Sequence, residues 1–435
     1  MPHRAAPSML NGKQHKSGCG APVEEKMQNA IREDRTPDAG ELMRWATDFI
    51  PTLRERTNQG ARENRIPAET IEEMRKAGLF RVLQPRRYGG FEMDVQTFYD
   101  IQIALARGDM STGWVYGVVG VHPWQLALFP DEAQRDVWGK NSDNLIASSY
   151  MQGGKAVRTN GGFLLSGRWR FSSGVEHCQW VFLGGLAPQE GVQQTADPTK
   201  FTAETAPDAR TFLLPLADCK IVKTWDVSGL RGTGSQDVIV ENAFVPEYRT
   251  HKMSDGNSCS SPGNAVNKSP LYKMPFAQVF NRAVSTACLG ALEGMLAVFR
   301  EHAKVRVSLL GSKTANDPEA QLACAETAAE IFEMKLVLRD SVENLMSYAR
   351  KGEQPPAADR MRYKFQSAKV SDRCSRLATR LFKSAGASAL FNTALFGGIL
   401  ADILAGGQHV ASQFGPYGRA WGGTMLGVPN TDAWL

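Results

Sequence analysis

The stretch "DPEAQLACAETAAEIFEMKLVLRDSVENLMSYARKG", Asp317 to Gly352, contains no glycine or proline between Pro318 and its last residue. Asp317 is a good N-cap, Pro318 fits a first turn that needs no amide donor, and Gly352 supplies a left-handed stop. At 1.5 Å per residue the implied helix is about 50 Å long. Such a helix persists in water only when its apolar stripe is covered by neighbours of similar length. The preceding run, "FNRAVSTACLGALEGMLAVFREHAKVRVSLL", is a second long helix, and two more are expected around 359 to 386 and 393 to 412. Long antiparallel helices make a four-helix bundle whose remaining apolar faces usually pack against another subunit.

Upstream, the period of the apolar residues changes twice. "ELMRWATDFIPTL" puts Leu42, Trp45, Phe49 and Leu53 on one helical face, and "IPAETIEEMRKAGLF" has Pro67 to open a helix and Gly78 to close it. "DVQTFYDIQIALARGD" continues the helical period, and "STGWVYGVVGVHPWQLALF" reads as two helical segments around a turn near His122. Between 145 and 254 the signal is short strands rich in β-branched and aromatic residues, with Asn160-Gly161 as a hairpin turn. The expected organisation is a flexible tail over 1–38, a helical domain over 39–144, a β domain over 145–254, a flexible link over 255–270 and a helical bundle over 271–435. The polar stretch "APQEGVQQTADPTKFTAETAPDAR" is a long surface loop or lid.

Charge and cysteine usage exclude several classes. Lys+Arg exceed Asp+Glu by five over 435 residues, and the excess is scattered, so there is no basic face for nucleic acid. The 7 cysteines are widely spaced and never form CxxC, which argues against a zinc site or disulfide frame and for a reducing, cytoplasmic setting. The apolar run "YGVVGVHPWQLALF" is broken by His122, Pro123 and Gln125, so no membrane span is expected there. No GxGxxG follows a strand, so nothing holds a nicotinamide dinucleotide in the usual way.

A helical domain, a β domain and a helical bundle in that order resemble the acyl-CoA dehydrogenase superfamily, with an α+β fold. "GLFRVLQPRRYGGFEM", "GDMSTGWVYGVVGVHPWQLALF", "GRWRFSSGVEHCQWVFLGG", "VSGLRGTGSQDVIVENAFVPEYR" and "QHVASQFGPYGRAWGGTMLGVP" are similar to its monooxygenase branch: the oxygenase components of two-component, flavin-dependent phenol hydroxylases. The resemblance implies reduced FMN or FAD, taken up by diffusion from a separate NAD(P)H:flavin reductase, and O2. It further implies a C4a-hydroperoxyflavin, a small aromatic substrate and a homotetramer. Ser173, with Ser172 beside it, is placed by the resemblance at the flavin N5 edge. His409 is placed near the flavin C4a position, and His122 and Ser149 at the substrate hydroxyl. Removing a proton from that hydroxyl, or hydrogen-bonding it, drives electron density onto the ring carbon that attacks the peroxide. Trp114, Lys273, Phe276, Arg306 and Arg231 are the further flavin contacts it implies, some donated across the tetramer; Ser235 stands with Arg231 in "GLRGTGSQD".

Three departures qualify the match. Ala401 stands where the family carries an arginine before Asp402, and Leu310 and Ala411 replace aromatic residues, which implies a wider, more apolar pocket. An acyl-CoA dehydrogenase needs a carboxylate base to remove an α-proton, and its "YEGT" pattern is replaced here by "AGGQHV". A nitrogen- or sulfur-oxidising flavin monooxygenase, which needs no phenol activation, and a flavin-free scaffold remain the other readings.

Overall fold

The computed structural model describes residues 36–188, 208–308 and 311–430. Residues 1–35 of the expected tail, most of the long polar loop and Leu310 lie outside the described residues.

The N-terminal stripe Leu42, Trp45, Phe49 and Leu53 is buried, but on two helices, α1 (Ala39–Asp48) and α2 (Ile50–Glu63). Pro51, in the first turn of α2, has no amide to bond back into α1, so the chain breaks at Phe49. Asp38 and Glu41 cap α1 reciprocally, each accepting the other's amide at 2.8 Å. Pro67 precedes α3 (Ala68–Lys76), and Gly78, at φ 77°, ends it. Asp94 then caps α4 (Val95–Gly108), and Asp109 caps α5 (Met110–Gly120).

Every residue of α5 is buried, and its glycines explain how closely it is packed. A Cβ at Gly117 would stand 2.0 Å from Gln102 Nε2 and 2.8 Å from the Ala283 carbonyl. Gln102 Nε2 donates to that carbonyl at 2.6 Å, so α4, α5 and the first bundle helix meet at one point. Gly117→Ala is therefore expected to destabilise the protein by about 1–3 kcal/mol, through overpacking and a displaced buried amide. A denaturation midpoint unchanged from wild type would contradict that.

Two short helices, α6 (His122–Leu126) and α7 (Asp131–Trp138), carry the chain onto the sheet. Leu126, Phe129, Val137 and Trp138 pack there against Ile146, Phe182 and Leu213. The sheet contains β1 (Ile146–Ser149), β2 (Gly154–Thr159), β3 (Gly162–Ser172), β4 (Trp180–Ala187), β5 (Asp208–Pro215), β6 (Lys220–Val222), β7 (Gln236–Pro246) and β8 (Thr250–Lys252). Their order is β6-β7-β3-β2-β4-β5-β8, with β1 parallel to β4. Asn160-Gly161 makes the β2–β3 turn, with Gly161 at φ 75°. The β3–β7 register slips between Trp169 and Ser172, and Phe171 there adopts φ 63°. The bulge shifts the register so that Ser172 pairs with Gln236 as the last residue of β3, and Ser173 follows it out of the ladder.

The segment 255–270, expected as a flexible link, is folded. Helix α8 (Met253–Asn257) opens it, Asn257, Ser261 and Asn267 are buried, and Asn267 Nδ2 donates to the Ala127 carbonyl at 2.8 Å. Asn267 satisfies a main-chain carbonyl of the α6–α7 connection, Asn257 accepts the Ala277 amide and Ser261 bonds His251, so their polarity does not signal exposure to water.

The bundle follows, with α9 (Phe276–Val305), α10 (Pro318–Lys351) and α11 (Ala357–Ala385). By length and composition α9 could span a bilayer, but 78% of its most apolar window is buried inside the fold. The helix expected over 393–412 is shorter, α12 (Phe396–Gly406), and ends in a turn at His409. An additional helix, α13 (Phe414–Met425), forms from the glycine-rich stretch after it.

Candidate active site

The bulge at the end of β3 brings Ser173 against Trp114 of α5. Trp114 Nε1–H donates to Ser173 Oγ at 3.2 Å, Ser173 and Ser235 hydroxyls lie 2.7 Å apart, as do those of Ser235 and Thr233, and Thr233 Oγ1 bonds the Leu230 carbonyl at 2.9 Å. A carbonyl only accepts, so the proton order along this row is fixed. Thr233 donates to Leu230, Ser235 to Thr233, and Ser173 to Ser235. Ser173 is left with a free lone pair and no free proton, so it can only accept from a ligand. Ser172 Oγ is buried and unbonded, and Phe171 stands beside it 58% exposed with its edge on Trp225. An exposed aromatic ring, an orphan hydroxyl and an acceptor oxygen on one strand end fit a planar heterocycle bearing N–H and carbonyl groups, such as a reduced flavin.

His409 meets this site from the bundle side. Its ring meets Trp114 edge-on at 5.8 Å, and its Nδ1 accepts the Ala411 amide at 3.1 Å, so the neutral imidazole carries its proton on Nε2. The ring keeps some exposure, yet the crowding around it removes enough water to push its pKa down to about 4. Gly406 allows the approach, since a Cβ there would stand 2.8 Å from Met110 and 2.9 Å from Cys288 Sγ. Asp402, on the same helix, accepts the Leu230 amide at 2.6 Å. Burial and then the neighbouring Asp109 raise its pKa to about 7, against the lowering effect of that amide.

His122 forms a second focus, farther along the same helical run. It is fully buried, and its Nδ1–H donates to the Ile146 carbonyl at 2.5 Å. Its Nε2 is therefore a bare lone pair, and it has no partner. Burial lowers its pKa to about 4, so it is neutral at working pH. Phe182 packs on it edge-on at 5.4 Å and Tyr150 at 6.3 Å, while Phe276 and Phe280 close on Tyr150 at 5.7 and 4.9 Å.

The structure thus brings together Trp114, Ser172, Ser173, Ser235 and His409, and separately His122 with Phe276. It distributes the other expected residues differently. Ser149 Oγ donates to the Arg170 carbonyl at 2.6 Å, so it braces the strand end before the two serines. The serine bonded to the Tyr150 phenol beside His122 is Ser148, with Gln125 as the other partner. Ser148, Tyr150, Gln125 and Phe171 were all missed by sequence reasoning; the alternation of β1 was a signal for the first. Lys273 is half-buried and without a partner among the described residues, three positions before Phe276. Arg231 is exposed, and no hydrogen bond or ion pair joins its side chain to the hydroxyl row among the described residues. Arg306 donates to Thr314 Oγ1 at 2.7 Å at the far end of the 30-residue α9 from Phe276, about 45 Å away along the axis. One flavin ring in one chain cannot reach both.

The chain matches the family models described as acyl-CoA dehydrogenase, N-terminal domain, over residues 36–141 and acyl-CoA dehydrogenase, C-terminal domain, over 283–414. It is 34% identical over 386 residues to a flavin-dependent monooxygenase, oxygenase subunit HsaA, of Rhodococcus jostii, covering 88% of this chain and 98% of that protein. It is 31% identical over 321 residues to the oxygenase component of an FADH(2)-dependent resorcinol hydroxylase of a Rhizobium species, covering 72% of this chain and 76% of that one. Among solved structures, the 3-HSA hydroxylase from Rhodococcus sp. RHA1 superposes with a TM-score of 0.84 at 33% identity, over 91% of this chain and 98% of that chain. With this likeness over nearly its whole length, the chain belongs to the flavin-dependent monooxygenases, as an oxygenase subunit built on the acyl-CoA dehydrogenase architecture.

Proposed function

We propose that this monooxygenase hydroxylates a phenolic ring, with His122 as the group that engages the substrate hydroxyl. The observation that carries this reading is the bare His122 Nε2: a fully buried, unpartnered acceptor walled by Phe182 and Tyr150. An unpaired buried nitrogen costs about 1–3 kcal/mol, which a substrate O–H would recover on binding. Relatives named for resorcinol and p-hydroxyphenylacetate hydroxylation support a phenol as the substrate class.

Reduced FMN or FAD supplies the activation of O2 when bound. The chain's own residues do the rest. Ser173 accepts a hydrogen bond at the flavin edge, with its orientation held by Trp114 and Ser235. Ser172 offers its unbonded hydroxyl, buried Trp114 excludes water, and exposed Phe171 offers its ring for stacking. His409 presents Nε2–H as donor. His122 accepts the phenol proton, which raises electron density at the adjacent ring carbon. Lys273 and Phe276 are retained as flavin contacts, and Arg231 as one reached from the exposed side. The helical unit over 39–144, the β unit over 145–254 and the bundle over 271–435, which brings His409, Lys273 and Phe276, together form this site.

Leu322, Phe332 and Leu336 are exposed on α10, as are Leu390, Phe391 and Val410 nearby in sequence to α12. We propose that these apolar surfaces are covered in a homotetramer, where Arg306 of one copy could serve the flavin of another. The free thiols of all six described cysteines fit work in a reducing cytoplasm.

Incubation with a flavin reductase, NADH and a panel of phenols should give a product heavier by one oxygen, with 18O from labelled O2. Peroxide alone across the panel, or oxidation at nitrogen or sulfur substrates only, would overturn the phenol reading. The same mixture without reductase should show no steady oxygen uptake, because no GxGxxG follows a strand to hold NADH; sustained uptake would refute the two-component arrangement.

A further inference from the structure

Leu230 has the backbone of a glycine without being one. Its φ is 55° and ψ 34°, a left-handed conformation that disfavours a branched apolar residue by about 1–2 kcal/mol. Three side chains hold it there. Its amide donates to Asp402 Oδ1 at 2.6 Å, and its carbonyl accepts from Trp225 Nε1 and Thr233 Oγ1, both at 2.9 Å. The carbonyl is the terminal acceptor that gives the Ser173–Ser235–Thr233 row its direction. The amide on the other side of the same residue is tied to α12. Gly229 seals the contact, since a Cβ there would meet the Ala401 carbonyl at 2.2 Å.

We propose that Asp402 is a positioning residue for the flavin-facing hydroxyls: by holding Leu230 left-handed, it keeps the acceptor at the end of the row and so keeps Ser173 an acceptor. Without the carboxylate, Leu230 relaxes towards ordinary backbone and its carbonyl swings away. Thr233 then loses the partner that orients it, the row can reverse, and Ser173 can point its proton at the ligand. No Lys or Arg forms an ion pair with Asp402 among the described residues, and the charged neighbour it has is Asp109, which is held by Thr112. Ala401 stands beside it in place of a cation. The hydrogen bond to Leu230 is therefore its main anchor, and its function is geometric. This inference rests on the flavin-facing reading of Ser173.

The test compares Asp402→Ala, Asp402→Asn and Ser173→Ala in the full-length protein. Asparagine keeps an acceptor oxygen, so Asp402→Asn should retain near-wild-type behaviour, whereas Asp402→Ala should not. In Asp402→Ala, amide hydrogen exchange over 229–235 should rise at least tenfold with exchange over α4 and α5 unchanged. With reductase, NADH and substrate, the peroxide released per NADH should rise towards the level of Ser173→Ala. The proposal is overturned if Asp402→Ala leaves exchange over 229–235 unchanged, or if it leaves peroxide release at wild-type level while Ser173→Ala raises it. It is also overturned if Asp402→Asn fails as badly as Asp402→Ala. If Ser173→Ala itself leaves peroxide release unchanged, the flavin-facing reading of Ser173 fails, and the Asp402 proposal with it; the exchange data still show whether Asp402 holds the turn.

Discussion

His122→Ala should abolish coupling between oxygen use and hydroxylation: NADH and O2 are still consumed, product falls by roughly 10²- to 10⁴-fold, and hydrogen peroxide replaces it, the range typical for loss of a positioned acid-base group. The reason lies in the tautomer. Nδ1–H is committed to the Ile146 carbonyl, so Nε2 is an acceptor in every neutral molecule, and alanine removes it without touching the flavin-facing serines. Because burial holds the imidazole pKa near 4, the step that depends on it should be insensitive to pH from neutrality down to about pH 5 and fail only as the solution approaches pH 4, where Nε2 takes a proton. A profile rising through pH 6.5 would mean the ring titrates as in water. Unchanged coupling in His122→Ala would make the histidine a packing residue.

His409→Ala should fail earlier. This imidazole sits against Trp114 and presents Nε2–H, so its removal should slow the reaction of enzyme-bound reduced flavin with oxygen whether or not substrate is present, again by roughly 10²- to 10⁴-fold. Stopped-flow mixing of the reduced, flavin-loaded protein with oxygenated buffer reads this directly. His409→Asn, which keeps a donor of similar reach, should recover part of the rate. Equal rates in wild type and both variants would place His409 outside the chemistry, as a cap for the turn it already closes.

Much of this arrangement was legible in the sequence because it is written in period and punctuation. Asp317, Pro318 and Gly352 delimit α10, Pro67 and Gly78 delimit α3, and Asn160-Gly161 closes its hairpin. What was not legible depends on backbone carbonyls, which sequence does not display. Ser149 and Ser148 are adjacent and chemically identical, and only the strand's alternation decides that one braces Arg170 while the other meets Tyr150. The left-handed backbone of Phe171 and Leu230 was equally hidden, since neither residue type favours it. Arg306 was assigned through a resemblance that does not say which copy of the chain it serves, and only the length of α9 exposes the question. The helix α13 was missed because Gly415, Gly418, Gly422 and Gly423 lower its propensity, and its packing against Phe365 compensates.

The folded segment over 255–270 has a consequence at the level of the gene. A composition shift rich in serine, glycine and asparagine is where insertion and module exchange are ordinarily tolerated, because few contacts cross it. Here Gly263 lies so close to Ala127 that a side chain would stand 2.0 Å from its carbonyl, and Asn267 also bonds that carbonyl. Lineages that lengthened this stretch, or exchanged the bundle at it, would disrupt the N-terminal helices with it, so diversification of substrate range by recombination should leave this junction intact and fall in the surface loops instead.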